Sequence, residues 1–166
     1  DAPEFEKAAR KPNLERAQKL LKDFDKEDVP GLFWTAYGWG SAINLGQANP
    51  DLAAALPVVE AMMQRVIELD EDDEEAEAHV FFGVSYASRP KMAGGNPDKA
   101  REHFEAAMEE AGERNLMIPF LYGRYWGAQT QNREFFDEMM TRVLEAPVEP
   151  YPNNRLNNEI AKDRAE

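Results

Sequence analysis

The sequence predicts an all-α chain of stacked antiparallel helix pairs, a tetratricopeptide-like helical array. Three observations predict it. Apolar residues recur at i, i+3, i+4 and i+7 along most of the chain, the spacing that places them on one side of a helix. No stretch alternates convincingly and β-branched residues are sparse, so no strand is expected. A weak internal repeat then sets the stacking. Pro30-Gly31-Leu32-Phe33, leading to Tyr37-Gly38-Trp39-Gly40, is matched by Pro119 to Gly127, and Phe82-Gly83 with Tyr86 opens a middle copy. Gly38, Gly83 and Gly123 fall 45 and 40 residues apart. A tetratricopeptide unit is about 34 residues, so the connections are lengthened.

The elements follow in order. Residues 1–12 are charged and contain Pro3 and Pro12, a loose lead-in to a single all-helical domain over 13–166. Asn13 caps a helix to about Phe24, with Leu14, Ala17, Leu20, Leu21 and Phe24 on one stripe. Asp25 to Asp28 is a polar connector. Val29-Pro30-Gly31 opens the most aromatic segment, where Leu32, Phe33, Trp34, Tyr37 and Trp39 lie among glycines, through about Leu45. Each glycine costs about 1 kcal/mol of helix propensity. Apolar side chains surround most of the circumference, so a buried central helix held by packing is expected.

Asn49-Pro50-Asp51 caps the next segment, which carries Leu52, Leu56, Val59, Met63, Val66 and Leu69. Pro57 either kinks one long helix or separates a short turn from a main helix. Residues 68–77 carry eight acids. Asp70, Asp72 and Glu74 match positions 1, 3 and 5 of a calcium loop, but Glu75 replaces the required glycine and Phe81 the final glutamate. A solvated connector is expected, its acids well placed at the next helix N-terminus.

The stretch from His79 to Ala107 organises the chain. His79, Phe82, Gly83 and Tyr86 form one helical stripe; Ser88 to Gly95 break it; Ala100, Phe104, Ala107, Met108 and Ala111 resume it. Asn96-Pro97-Asp98 supplies a cap with proline at the first helical position. A second glycine-interrupted aromatic helix runs from Met117 to about Gln131, and Asn132 caps a helix with Phe135, Phe136, Met139, Met140 and Val143. After a proline-rich turn, Asn154 starts a final helix with Leu156, Ile160 and Ala161 inward.

Composition excludes several classes. The 166 residues carry 43% hydrophobic and 10% aromatic side chains, enough for a sizeable core, with a formal net charge of −13. That charge opposes binding to nucleic acid or an anionic membrane surface. With no cysteine there are no disulfides, thiolate nucleophiles or Cys-based metal sites. No run of 18 apolar residues is present, so no membrane-spanning segment is expected, and no signal peptide is expected within these residues, as a mature chain would also lack one. Three serines, no nucleophile elbow, no P-loop and no Rossmann glycines argue against an enzyme. Carboxylates are too abundant for any one to be informative. His79 and His103, 24 residues apart, can approach each other across the helix pair, but no H-E-x-x-H motif makes them a metal site. No metal or cofactor is expected.

Several motifs resemble the T-component (TatT-type) proteins of TRAP transporters, the tripartite ATP-independent periplasmic systems. They run from about Val29 to the end: Val29-Pro30-Gly31-Leu32-Phe33-Trp34 leading to Gly38-Trp39-Gly40; Met62 to Asp70; His79-Val80-Phe81-Phe82-Gly83; Pro90 and Gly94-Gly95; Ala100 to Ala107; Arg133-Glu134-Phe135; and Asn154 to Ala161. Their order and spacing carry the resemblance. Asn157 stands where the family usually has a small residue, and the final helix is short. The family's lipid-anchoring cysteine is not in this chain. The resemblance implies a periplasmic location, with any lipid anchor lying outside this chain. It implies a homotrimer with a central pore and association with the solute-binding P-component. It also implies help in capturing or delivering a hydrophobic ligand such as an organic acid.

The expected function is therefore a non-enzymatic transport accessory that binds a solute-binding protein and an apolar ligand. Trp34, Tyr37, Trp39, His79, Tyr86, Tyr122 and Trp126 are the candidate ligand-binding residues. The rings would supply area, while His79 and the tyrosine hydroxyls would orient a polar end. The simpler reading of the same rings is core. The alternative function is a tetratricopeptide-like docking scaffold with no small-molecule site.

Overall fold

The computed structural model describes residues 13–46, 50–69 and 73–166. The expected lead-in (1–12), Asn49 of the expected cap and residues 70–72 of the acidic run lie outside the described residues. Among the described residues all regular structure is helical, as the periodicity predicts. The chain divides into two compact units, Asp1–Ala78 and His79–Glu166.

In the first unit, α1 (Leu14–Leu21) begins at Asn13, whose side chain accepts the Arg16 N–H at 2.9 Å. Ala17 and Leu21 are buried. Asp25 and Asp28 then form a reciprocal capping box around the 3-10 turn Lys26–Asp28, which leads into α2 (Val29–Leu45) with Pro30 in its first turn. A single turn, Pro50–Ala53, precedes α3 (Leu56–Leu69), so Pro57 stands at the start of a main helix rather than at a kink. Both α1 and α2 pack on α3. Val58, Val59, Met62, Met63 and Val66 bury its inner face. The Arg65 guanidinium donates to the Phe24 carbonyl at 2.8 Å and fastens the end of the α1 connector to α3.

The expectation that α2 is buried on all sides is not met. Its buried residues are Val29, Leu32, Phe33 and Ala36, a single i, i+3, i+4, i+7 stripe. Trp34 is 65% exposed, Tyr37 47% and Leu45 89%. Outward aromatic residues made the segment look apolar all round. Hydrophobicity counts rings without saying which side is covered.

The second unit begins within α4 (Asp73–Ser88) and continues through α5 (Pro97–Ala111), α6 (Met117–Leu121), α7 (Arg133–Glu145) and α8 (Arg155–Ala165). Its core gathers Phe104, Leu116, Phe120, Tyr122, Met139 and Val143. Gly83 of α4 permits a close approach to α5: a Cβ there would lie 2.8 Å from the Phe104 ring. The α4–α5 connection turns through Gly94 at φ 86°, the left-handed region that favours glycine. A Cβ on Gly95 would overlap the Arg89 carbonyl. Asn96 then caps α5, accepting the Asp98 and Lys99 N–H groups at 3.1 and 3.2 Å.

The helix expected from Met117 to about Gln131 is present in direction, but Tyr122–Gly127 winds as a π-helix after α6. Within it, Gly123 lies against Met139 and Met140, and the Trp126 indole donates to the Pro97 carbonyl at 2.9 Å. Such a widened turn shifts the hydrogen-bond partner by one residue, and side-chain periodicity does not announce it. Leu156, expected inward on α8, is 73% exposed. Ala161 is buried as expected, and beside it Asn158, fully buried, accepts the Leu116 N–H at 2.8 Å and donates to the Arg114 carbonyl at 3.1 Å. α8 docks partly by satisfying backbone groups of the α5–α6 connection, a requirement invisible to an apolar pattern.

Candidate functional site

The candidate residues fall into three groups. In the first unit, Trp34 and Tyr37 meet edge to face on the outer side of α2, ring centroids 5.9 Å apart. Buried Phe33 touches both, at 5.3 and 5.8 Å. Trp39 is half-buried. Gly31 and Gly38 flank the pair along the helix, and a Cβ at either would meet nothing within 4 Å.

In the second unit, His79 of α4 meets His103 of α5, Nδ1 to Nδ1 at 2.9 Å. One imidazole donates and the other accepts across this contact. His103 also stacks on Phe82 at 4.8 Å and on Tyr86 at 5.8 Å. Burial lowers the His79 pKa. Burial also lowers that of His103, to about 4, reinforced by His79 and by the Lys99 ammonium. Both rings are therefore neutral at pH 7. The Lys99 and Arg89 cations lie 5.4 and 5.6 Å from the Tyr86 ring.

The third group is packed into the core of the second unit. Tyr122 is 5% exposed, stacked on Phe104 at 4.8 Å and edge-on to Phe135 at 4.7 Å. Burial, then the Glu105 charge, pushes its hydroxyl up to about 12, with Arg101 acting the other way. Trp126 meets Tyr122 at 5.5 Å and Phe135 at 4.9 Å. The structure thus pairs Trp34 with Tyr37, joins His79 to Tyr86 through His103, and pairs Tyr122 with Trp126.

His103 is absent from the sequence-derived set, although its approach to His79 was legible from their positions on facing helices. A groove of about 700 Å³ between α1 and α3 was not anticipated either. Arg16, Lys19, Lys22 and Arg65 line it together with Glu15 and Glu68, and none of the seven candidates does. Among the described residues, no three His, Asp or Glu side chains are grouped to hold a metal ion, and no helix is long and apolar enough to cross a membrane.

No curated protein matches the chain. A family profile does, over residues 1–166. The chain belongs to the family of TRAP transporter T-components, and that membership gives it an accessory role in TRAP transport.

Proposed function

We propose that this T-component is a non-enzymatic, periplasmic homotrimer that docks the solute-binding P-component and contacts a hydrophobic ligand. The observation that carries the docking part is the outer face of α2. Trp34 and Tyr37 are exposed as a mutually packed pair on a helix whose opposite stripe is buried. Covering a large apolar side chain is worth about 1.5–3 kcal/mol, and aromatic anchors dominate protein interfaces. Open space beside Gly31 and Gly38 leaves room for an incoming surface.

The test is calorimetric titration of the P-component encoded with this chain into wild type, Trp34→Ser and Tyr37→Ser. Both substitutions should weaken binding while the melting temperature holds. Unchanged affinity in both variants would remove α2 from the interface.

The ligand would contact rings of the candidate set: Trp34, Tyr37 and Trp39 in the first unit, His79, Tyr86, Tyr122 and Trp126 in the second. Tyr122 and Trp126 also support the second reading, a docking scaffold without a small-molecule site. Tyr122 fills the core, Trp126 packs half-buried against it, and the Trp126 N–H already has an acceptor. Native mass spectrometry of gently purified protein separates the two. A trimer carrying an added apolar mass supports ligand delivery, whereas a bare trimer supports docking alone.

A further inference from the structure

We propose that His79 and His103 form a two-histidine site for a divalent transition-metal ion of the copper, nickel or zinc class. The two Nδ1 atoms stand 2.9 Å apart on facing helices of one compact unit. A metal at 2.0–2.1 Å from each imidazole nitrogen needs the two nitrogens up to a few tenths of an ångström further apart and both lone pairs turned from each other toward the shared ion. That is a side-chain adjustment, not a backbone one.

Neutral imidazole is the form that binds metal. In the apo pair a single proton lies between the Nδ1 atoms. Moving it to the far nitrogen of its own ring frees both lone pairs with no change in net charge. The flanking rings fix the direction of approach: Phe82 and Tyr86 hold the His103 plane by stacking, and the helical backbones of α4 and α5 hold the two Cα atoms. Imidazole pairs suit copper, nickel and zinc, and poorly suit calcium or magnesium, which take oxygen ligands. No third His, Asp or Glu completes the set among the described residues. Water or a small exogenous donor would fill the remaining positions, and both histidines are half-buried rather than sealed. The site is an open, exchangeable one rather than a closed structural one.

The chain has only two histidines, which makes the test clean provided the protein carries no affinity tag. Copper(II) is titrated into tag-free, chelator-stripped protein at pH 7.5, followed by calorimetry and electron paramagnetic resonance. Zinc(II) is titrated in parallel, with excess calcium present to occupy surface carboxylates. One ion per chain is expected, with nitrogen hyperfine structure from two imidazoles and no displacement by calcium. His79→Gln and His103→Gln should each weaken copper by well over an order of magnitude, and each should leave a one-nitrogen spectrum. Circular dichroism and thermal melting of both variants check that they fold. The proposal is overturned if wild type shows no stoichiometric binding. It is equally overturned if a folded single variant keeps wild-type affinity or the copper spectrum shows oxygen donors only.

Discussion

Asn158 shows how one polar residue positions an entire helix. Its amide accepts from Leu116 N–H and donates to the Arg114 carbonyl, with no solvent exposure. Asn158→Ala removes both bonds and strands a buried N–H, at a cost of about 1–3 kcal/mol, which a thermal melt reads as a lower midpoint. Asn157→Ala, one residue away and exposed, should stay within about 0.5 kcal/mol of wild type. An apolar pattern points to Leu156, Ile160 and Ala161 for this face. Ala161 is buried there, but the residue that fixes the docking is a side chain the pattern treats as solvent-facing.

The histidine pair gives a second residue-scale prediction, for protein kept free of metal. Folding holds His103 at about 4, against 6.5 for an unperturbed histidine, and lowers His79 as well. Between pH 6.5 and 4 the unfolded chain therefore binds protons that the folded chain refuses. Stability is full above that window and falls as pH drops through it. Lys99 adds to the effect because its ammonium disfavours a cation on His103, and the Arg89 guanidinium over Tyr86 brings a further positive charge to the cluster. The melting temperature in chelator should be lower at pH 5 than at pH 7, and His103→Gln should flatten that slope. An unchanged slope in the variant would place the acid sensitivity elsewhere.

At the scale of elements, two glycines in helix interiors make opposite predictions. Gly83→Ala gains about 1 kcal/mol of helix propensity. The new Cβ, however, presses on the buried Phe104 ring from 2.8 Å, and overpacking of this kind costs about 1–3 kcal/mol. The variant should melt below wild type. Gly38→Ala meets nothing within 4 Å, so the propensity gain stands alone and the variant should melt above it. Circular dichroism melts of the two variants check the difference in sign. The sequence shows the two glycines in equivalent repeat positions and cannot separate them. The caps were more legible, because the cause is local: Asn13, Asn96 and Asn132 each accept the backbone N–H groups their positions implied. The π-helical Tyr122–Gly127 and the one-sided burial of α2 were not legible, because both depend on what packs against the element.

At the scale of the whole molecule, the formal charge of −13 and the exposed rings of α2 act against each other in self-association. Copies of so acidic a chain repel, and the repulsion is screened over about 10 Å at 0.1 M salt and about 3 Å at 1 M. Contacts made by Trp34 and Tyr37 are apolar and do not weaken with salt. If the proposed homotrimer, rather than the P-component, covers the outer face of α2, raising the salt removes the repulsion and leaves the attraction. The trimer fraction in sedimentation velocity should then rise between about 0.1 M and about 1 M salt. Trp34→Asp should lower that fraction at both salt concentrations while the helical signal is kept, because its site is exposed in the single chain. A basic partner docked on the acidic exterior would behave the opposite way, releasing as salt rises. A trimer that dissociates on adding salt would therefore be held by ion pairs between copies, and Trp34 and Tyr37 would have to face some other surface.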